Sequence, residues 1–167
     1  MAGENNTSVD ERVKKLDSVL NEYNQKFSIN SFKPDSEAVL ALNFTPLEIR
    51  VLTEEECGEY CYVLHRYAGY IQTECNRLNA RIRWLHRCIE LETAANIRSY
   101  GDKFTSFQER TLLCQNDKTN EYMKKLQDVL MQSEIRKEEL SFITSKITAM
   151  ANTLSEQKST KRQHKWD

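Results

Sequence analysis

Residues 53–97 read TEEECGEYCYVLHRYAGYIQTECNRLNARIRWLHRCIELETAANI, a long stretch without a proline. It opens on Thr53 with Glu56 three residues later, the pattern in which a threonine side chain and a glutamate cap each other's backbone amides at a helix start. From there Cys57, Tyr60, Leu64, Tyr67, Ile71, Cys75, Leu78, Ile82, Leu85 and Ile89 recur in steps of three and four. That spacing draws one apolar stripe down a helix and predicts a partner packed along its whole length. The stretch therefore decides the fold as a long amphipathic helix ending near Ile97.

The same grammar extends in both directions. Upstream, Thr45-Pro46-Leu47-Glu48 is another helix start, with proline at the first helical position. Val13, Leu16, Leu20 and Tyr23 predict a short helix from about Asp10 to Phe27. Residues 28–45, with Pro34 and scattered Ser and Asn, read as a connector that has room for an extended piece at Val39–Phe44. Downstream, Gly101 breaks the chain and Ser106-Phe107-Gln108-Glu109 starts a second long helix running to about Lys158. Its seam is interrupted near Ser133, Arg136 and Lys137. The expected fold is all-α: a long antiparallel helical hairpin over 53–158, an acidic N-terminal arm with its short helix over 1–52, and a basic tail over 159–167. Two helices bury their stripes poorly alone, so assembly into a homo-oligomer is favoured over a monomeric three-helix bundle.

Composition supports this. The 167 residues include only 4 glycines and 2 prolines, too few reversals for many short strands. Charged residues reach 29% while 39% are hydrophobic, which suits long helices with narrow apolar stripes. There is no apolar run of membrane-spanning length, and the polar, acidic start has no features of a secretory signal. An odd number of cysteines (Cys57, Cys61, Cys75, Cys88, Cys114) argues for reduced thiols and a cytoplasmic setting, the host cytoplasm if the chain is phage-encoded.

Net charge is −1, but it is segregated. Residues 1–59 carry 12 acids against 6 bases, whereas residues 60–89 carry five arginines against Glu74. Projected at 100° per residue, Arg66, Arg77, Arg81, Arg83, Arg87 and Arg98 occupy an arc of roughly 160° away from the apolar stripe. Tyr70 and Trp84 fall among them. Arginine supplies phosphate contacts, and exposed aromatics offer stacking platforms for unpaired bases, so the ridge is a candidate site for single-stranded DNA. Lys161, Arg162 and Lys165, next to Trp166, repeat the chemistry in the tail. The bland alternatives are a solvated helix face with Trp84 in an oligomer interface, and a solubilising tail.

Cys57, Cys61 and His65 stack on one helix face, but zinc normally takes four ligands and no second pair is suitably spaced. Edge or core packing is the better account of them, so no metal or other cofactor is expected. With no nucleophile elbow, glycine-rich phosphate loop or HExxH, an enzyme is not expected.

Over about residues 60–155 the layout resembles the UvsY-type recombination mediators of tailed phages. The resemblance rests on Asn79-Ala80-Arg81-Ile82-Arg83-Trp84, the break at Tyr100-Gly101-Asp102, and a second helix from Glu109-Arg110 through Lys124-Lys125-Leu126 to Met150. It implies a homo-oligomeric helical protein that binds single-stranded DNA and loads a strand-exchange recombinase against a single-strand-binding protein. The family's Lys-x-Arg element before an aromatic falls on Asn79 and Arg81, so its lysine is missing and Arg83 is the substitute. The competing expectation is a coiled-coil structural or adaptor protein of a phage or cellular assembly. In that case the arginines dock on an acidic protein surface, for example residues 1–59 of the same or another copy.

Overall fold

The computed structural model describes residues 8–26 and 36–163. Among these the chain is all-α and contains no strand. The helices are α1 (Val9–Lys26), α2 (Ser36–Leu42), α3 (Pro46–Val51), α4 (Glu54–Asn96), α5 (Phe107–Gln115) and α6 (Glu121–Gln163), with a 3-10 turn at Ile97–Ser99.

The starts are capped as the sequence dictates. Thr45 and Glu48 close a capping box on α3, and Ser106 and Glu109 close one on α5. At α4, Thr53 N donates to Glu56 Oε2 at 2.7 Å and Glu56 N to Thr53 Oγ1 at 3.2 Å. These bonds hold the carboxyls of Glu48, Glu56 and Glu109 below the usual glutamate range.

Two expectations change. Residues 39–42 lie in helix α2 rather than an extended piece, with Ala38 and Ala41 fully buried. Small alanines on one face let this short helix dock closely, and tertiary packing outweighs the β-preference of Val39. The second long helix does not start at Ser106, because the chain breaks between α5 and α6 around Asn116–Asn120. There Asp117 Oδ1 accepts from Thr119 N at 2.8 Å and Asn120 Oδ1 accepts from Met123 N at 3.0 Å, local bonds that compete with helix. The expected interruption of the apolar seam is seen at Ser133, while the helix itself runs on. Ser133 is 3% exposed and its Oγ donates to the Val129 carbonyl at 2.8 Å, so the helix satisfies its one polar seam residue internally.

The seams follow a seven-residue repeat. On α6, Leu126, Ser133, Leu140, Ile147 and Leu154 are all buried, and on α4 Cys57, Leu64, Ile71 and Leu85 are. A 3.5-residue period of this kind is that of helices packed side by side.

The residues form two compact units. In the first, residues 8–23 pack with 77–137 around Val9, Leu85, Ile89, Cys114, Met123 and Leu126, flanked by Val13, Trp84, Cys88, Tyr100 and Tyr122. The second comprises residues 36–76 and 138–163. Here Glu54 meets Arg162 at 4.0 Å, and Cys61 Sγ donates to the Ala151 carbonyl at 3.6 Å, so α4 and α6 run antiparallel. Phe44 meets Tyr60 edge-on with centroids 4.8 Å apart. No helix among the described residues is long and apolar enough to cross a membrane.

Candidate interaction surfaces

In the first unit the face of α4 that carries the arginines is shared with α1. Arg81 Nη2 lies 2.7 and 2.6 Å from the two carboxylate oxygens of Asp17 on α1. Its Nε is buried without a hydrogen-bond partner among the described residues. Trp84, expected in water, is half-buried against the Val9–Leu85 core. Arg77 is half-buried and has a partner within the chain. A helical projection of α4 alone places these three residues outward. The correction comes from α1, whose Val9 and Val13 join the core and bring Asp17 alongside. Lys125 reinforces the docking with a 3.3 Å pair to Asp10, and Arg12 Nη1 donates to Tyr122 Oη at 2.8 Å.

What remains exposed of the ridge in this unit is Arg83, Arg98 on the 3-10 turn and, one turn after Arg83, Arg87, which pairs with Glu90 at 3.0 Å. His86 on the same stretch faces Glu134 at 3.8 Å. Acids thus interleave with the basic residues that the linear sequence segregated. In the second unit, Arg66 is exposed and its guanidinium lies 5.8 Å from the centroid of the Tyr62 ring, while Tyr70 is half-buried.

The basic end of the chain is also structured. Helix α6 continues to Gln163, beyond its expected stop near Lys158. Lys161 Nζ donates to the Arg50 carbonyl at the end of α3 at 2.9 Å, and Arg162 lies beside Glu54. Lys165 lies outside the described residues.

Cys57 is fully buried and Cys61 is half-buried on the Ala151 carbonyl, so both serve packing. Burial pushes the Cys57, Cys88 and Cys114 thiols up, away from the reactive thiolate. No group of three or more His, Cys, Asp or Glu side chains among the described residues is placed to hold a metal ion.

A second surface was hidden in the sequence. The 3-10 turn leads into a loop in which Gly101 takes φ +113° and Asp102 Oδ1 accepts from Phe104 N at 2.8 Å. Arg110 reaches back from α5, its Nη2 2.7 Å from the Asp102 carbonyl and its Nε 3.0 Å from the Thr105 carbonyl. Tyr100 Oη donates to Asp117 Oδ2 at 2.6 Å, tying the two ends of this tip together. That bond pushes the Tyr100 phenol up to about 12 and holds the Asp117 carboxyl below its usual range.

The tip buries Cys114 but leaves Phe104 83%, Phe107 75%, Leu112 58% and Leu113 53% exposed. Phe104, Leu112 and Leu113 line a groove of about 560 Å3 together with Asp102, Thr105 and Glu109. Read as part of one long second helix, Leu112 and Leu113 look like seam residues. One signal was available: adjacent leucines point about 100° apart and cannot both enter a narrow seam.

No family model, curated protein or solved structure matches this chain.

Proposed function

We propose that this chain is a non-catalytic helical assembly protein whose working surface is the apolar tip built by α5 and the loop before it. The observation that carries this reading is the groove lined by Phe104, Leu112 and Leu113, three large apolar side chains more than half exposed within ten residues. Exposed apolar area of several hundred Å2 in one place marks an interaction site more often than an ordinary surface. The arginine ridge supports the reading from the other side. Arg81 is held by Asp17, Trp84 packs inward, and Lys161 and Arg162 are engaged at the α3–α4 corner.

A second reading, single-stranded DNA binding by a recombination mediator, draws on the resemblance to the UvsY type and on the exposed pair Arg83 and Arg87. Fluorescence-anisotropy titration of labelled oligo-dT at low and moderate salt separates the two. Assembly through the tip predicts no binding that depends on Arg83 and Arg87. Tight binding that weakens with salt, through counterion release, and is lost in the Arg83→Ala/Arg87→Ala double variant would transfer the function to the second reading.

A further inference from the structure

We infer that α1 is an autoinhibitory strap, whose carboxylates occupy the cations of a latent single-stranded nucleic-acid face shared by α4 and α6. The inference rests on the second reading above and adds its regulation. Geometry comes first. Asp17 takes Arg81 of α4, Asp10 takes Lys125 of α6, and Arg12 lies over the Tyr122 ring at 5.7 Å. The charge of Arg12 also reaches the Cys88 thiol, so α1 runs against α4 from Arg81 to Cys88. Trp84, one turn beyond Arg81 on the same face, lies between those two points and borders the core that Val9 and Val13 join. With α1 lifted, Arg81, Lys125, Trp84 and Tyr122 open beside Arg87, which is one turn on from Trp84 and exposed already. Cations interleaved with aromatic rings suit a strand whose bases are unstacked, the cations taking phosphates and the rings taking bases.

The strap is held loosely. Of its 18 residues only Val9 is fully buried. The rest of that core, Leu85, Ile89, Cys114, Met123 and Leu126, comes from α4, α5 and α6. Both ion pairs keep contact with water, so salt and competing anions reach them. Asp17 also serves Arg81 incompletely. Both its oxygens sit on Nη2, while Nε stays buried without a hydrogen-bond partner among the described residues. A phosphate arriving side-on takes Nε and Nη2 together, so a polyanion offers a bond that Asp17 does not make.

Oligo-dT titration of the full chain and of two opened variants tests the inference. Asp10→Asn/Asp17→Asn removes both carboxylates, and Val13→Ser loosens the strap with no change of charge. Each should bind oligo-dT roughly tenfold or more tighter than the parent, and adding Arg81→Ala/Lys125→Ala abolishes the gain. Val13→Ser also serves should the double variant fold poorly. Glu22→Gln/Glu138→Gln makes the same change of net charge on exposed acids away from the pairs and leaves binding as in the parent. Trp84 emission, read in the Trp166→Phe chain, reports opening: it shifts to the red in both opened variants and is quenched by oligo-dT. A parent that binds as tightly as the opened variants overturns the strap and leaves the DNA reading standing. Opened variants whose Trp84 is wet but which bind no oligo-dT overturn the DNA reading, and the strap's role with it. Trp84 emission unmoved in both variants makes α1 fixed core and overturns the inference. A gain matched by Glu22→Gln/Glu138→Gln, or equal for duplex DNA, is general charge attraction and overturns it as well.

Discussion

Asp17 on α1 receives Arg81 on α4, one guanidinium nitrogen lying within 2.7 Å of both carboxylate oxygens. The two side chains retain 26% and 27% of their exposure, so the pair is part-buried and its strength lies between that of a surface bridge and a core one. Asp17→Asn leaves the arginine charge partly desolvated, with its Nε already unsatisfied. The variant should lose about 1–3 kcal/mol in urea unfolding, with Arg81→Met/Asp17→Leu recovering part of the loss. A loss below about 0.5 kcal/mol would mean that α1 is held by Val9 and Val13 alone.

The Tyr100–Asp117 bond makes the tip pH-sensitive at both extremes. The phenol has its pKa raised from 10.0 to about 12, so its contribution is complete below pH 10 and lost as pH climbs towards 12. The Asp117 pKa is lowered from 3.8, so its contribution is complete above that value and lost as pH falls further. Thermal melts of Tyr100→Phe should therefore show a shallower decline than the parent chain between pH 10 and 12. An identical alkaline limb would show that the bond is not made in solution.

Ser133 occupies a seam position where every heptad neighbour on α6 is apolar. Its hydroxyl bonds only to the Val129 carbonyl, which the helix already uses. Ser133→Ala gains helix propensity and loses no indispensable bond, so it should stabilise by about 0.5 kcal/mol and raise the melting temperature slightly. Destabilisation by this substitution would reveal a second role for the hydroxyl.

Gly101 stands at φ +113°, and a Cβ there would sit 2.7 Å from Thr105 Cβ. Gly101→Ala combines backbone strain with a clash inside a loop fixed by its own bonds, and should cost about 1–3 kcal/mol. Gly69, with nothing near a built Cβ and a helical backbone, is the control: Gly69→Ala should stabilise by about 0.5–1 kcal/mol. Equal responses at the two sites would remove the case for a fixed tip.

Much of the fold was legible because it is written in local terms. Thr53, Thr45 and Ser106 announce helix starts through their glutamates three residues on, and each box forms. The steps of three and four through Leu64, Ile71 and Leu85 correctly gave the buried face of α4. Non-local information was not legible. A helical wheel of α4 knows nothing of α1, so it placed Arg81 and Trp84 in water when Asp17 and Val9 were waiting for them. The break after Gln115 depends on Asp117, whose role appears only once Tyr100 and Thr119 point at it. The tip patch went unread for the same reason, since Leu112 and Leu113 are seam residues only if α5 and α6 are one helix.

The end of α6 carries a practical lesson about where this chain tolerates shortening. Lys161 and Arg162 act as a clasp across the corner between α3 and α4, one on the Arg50 carbonyl and the other beside the Glu54 carboxylate. Cutting after Lys158 would unfasten that corner and leave the last carbonyls of α3 without their cation. Tags and fusions belong beyond Gln163, not in place of the residues before it.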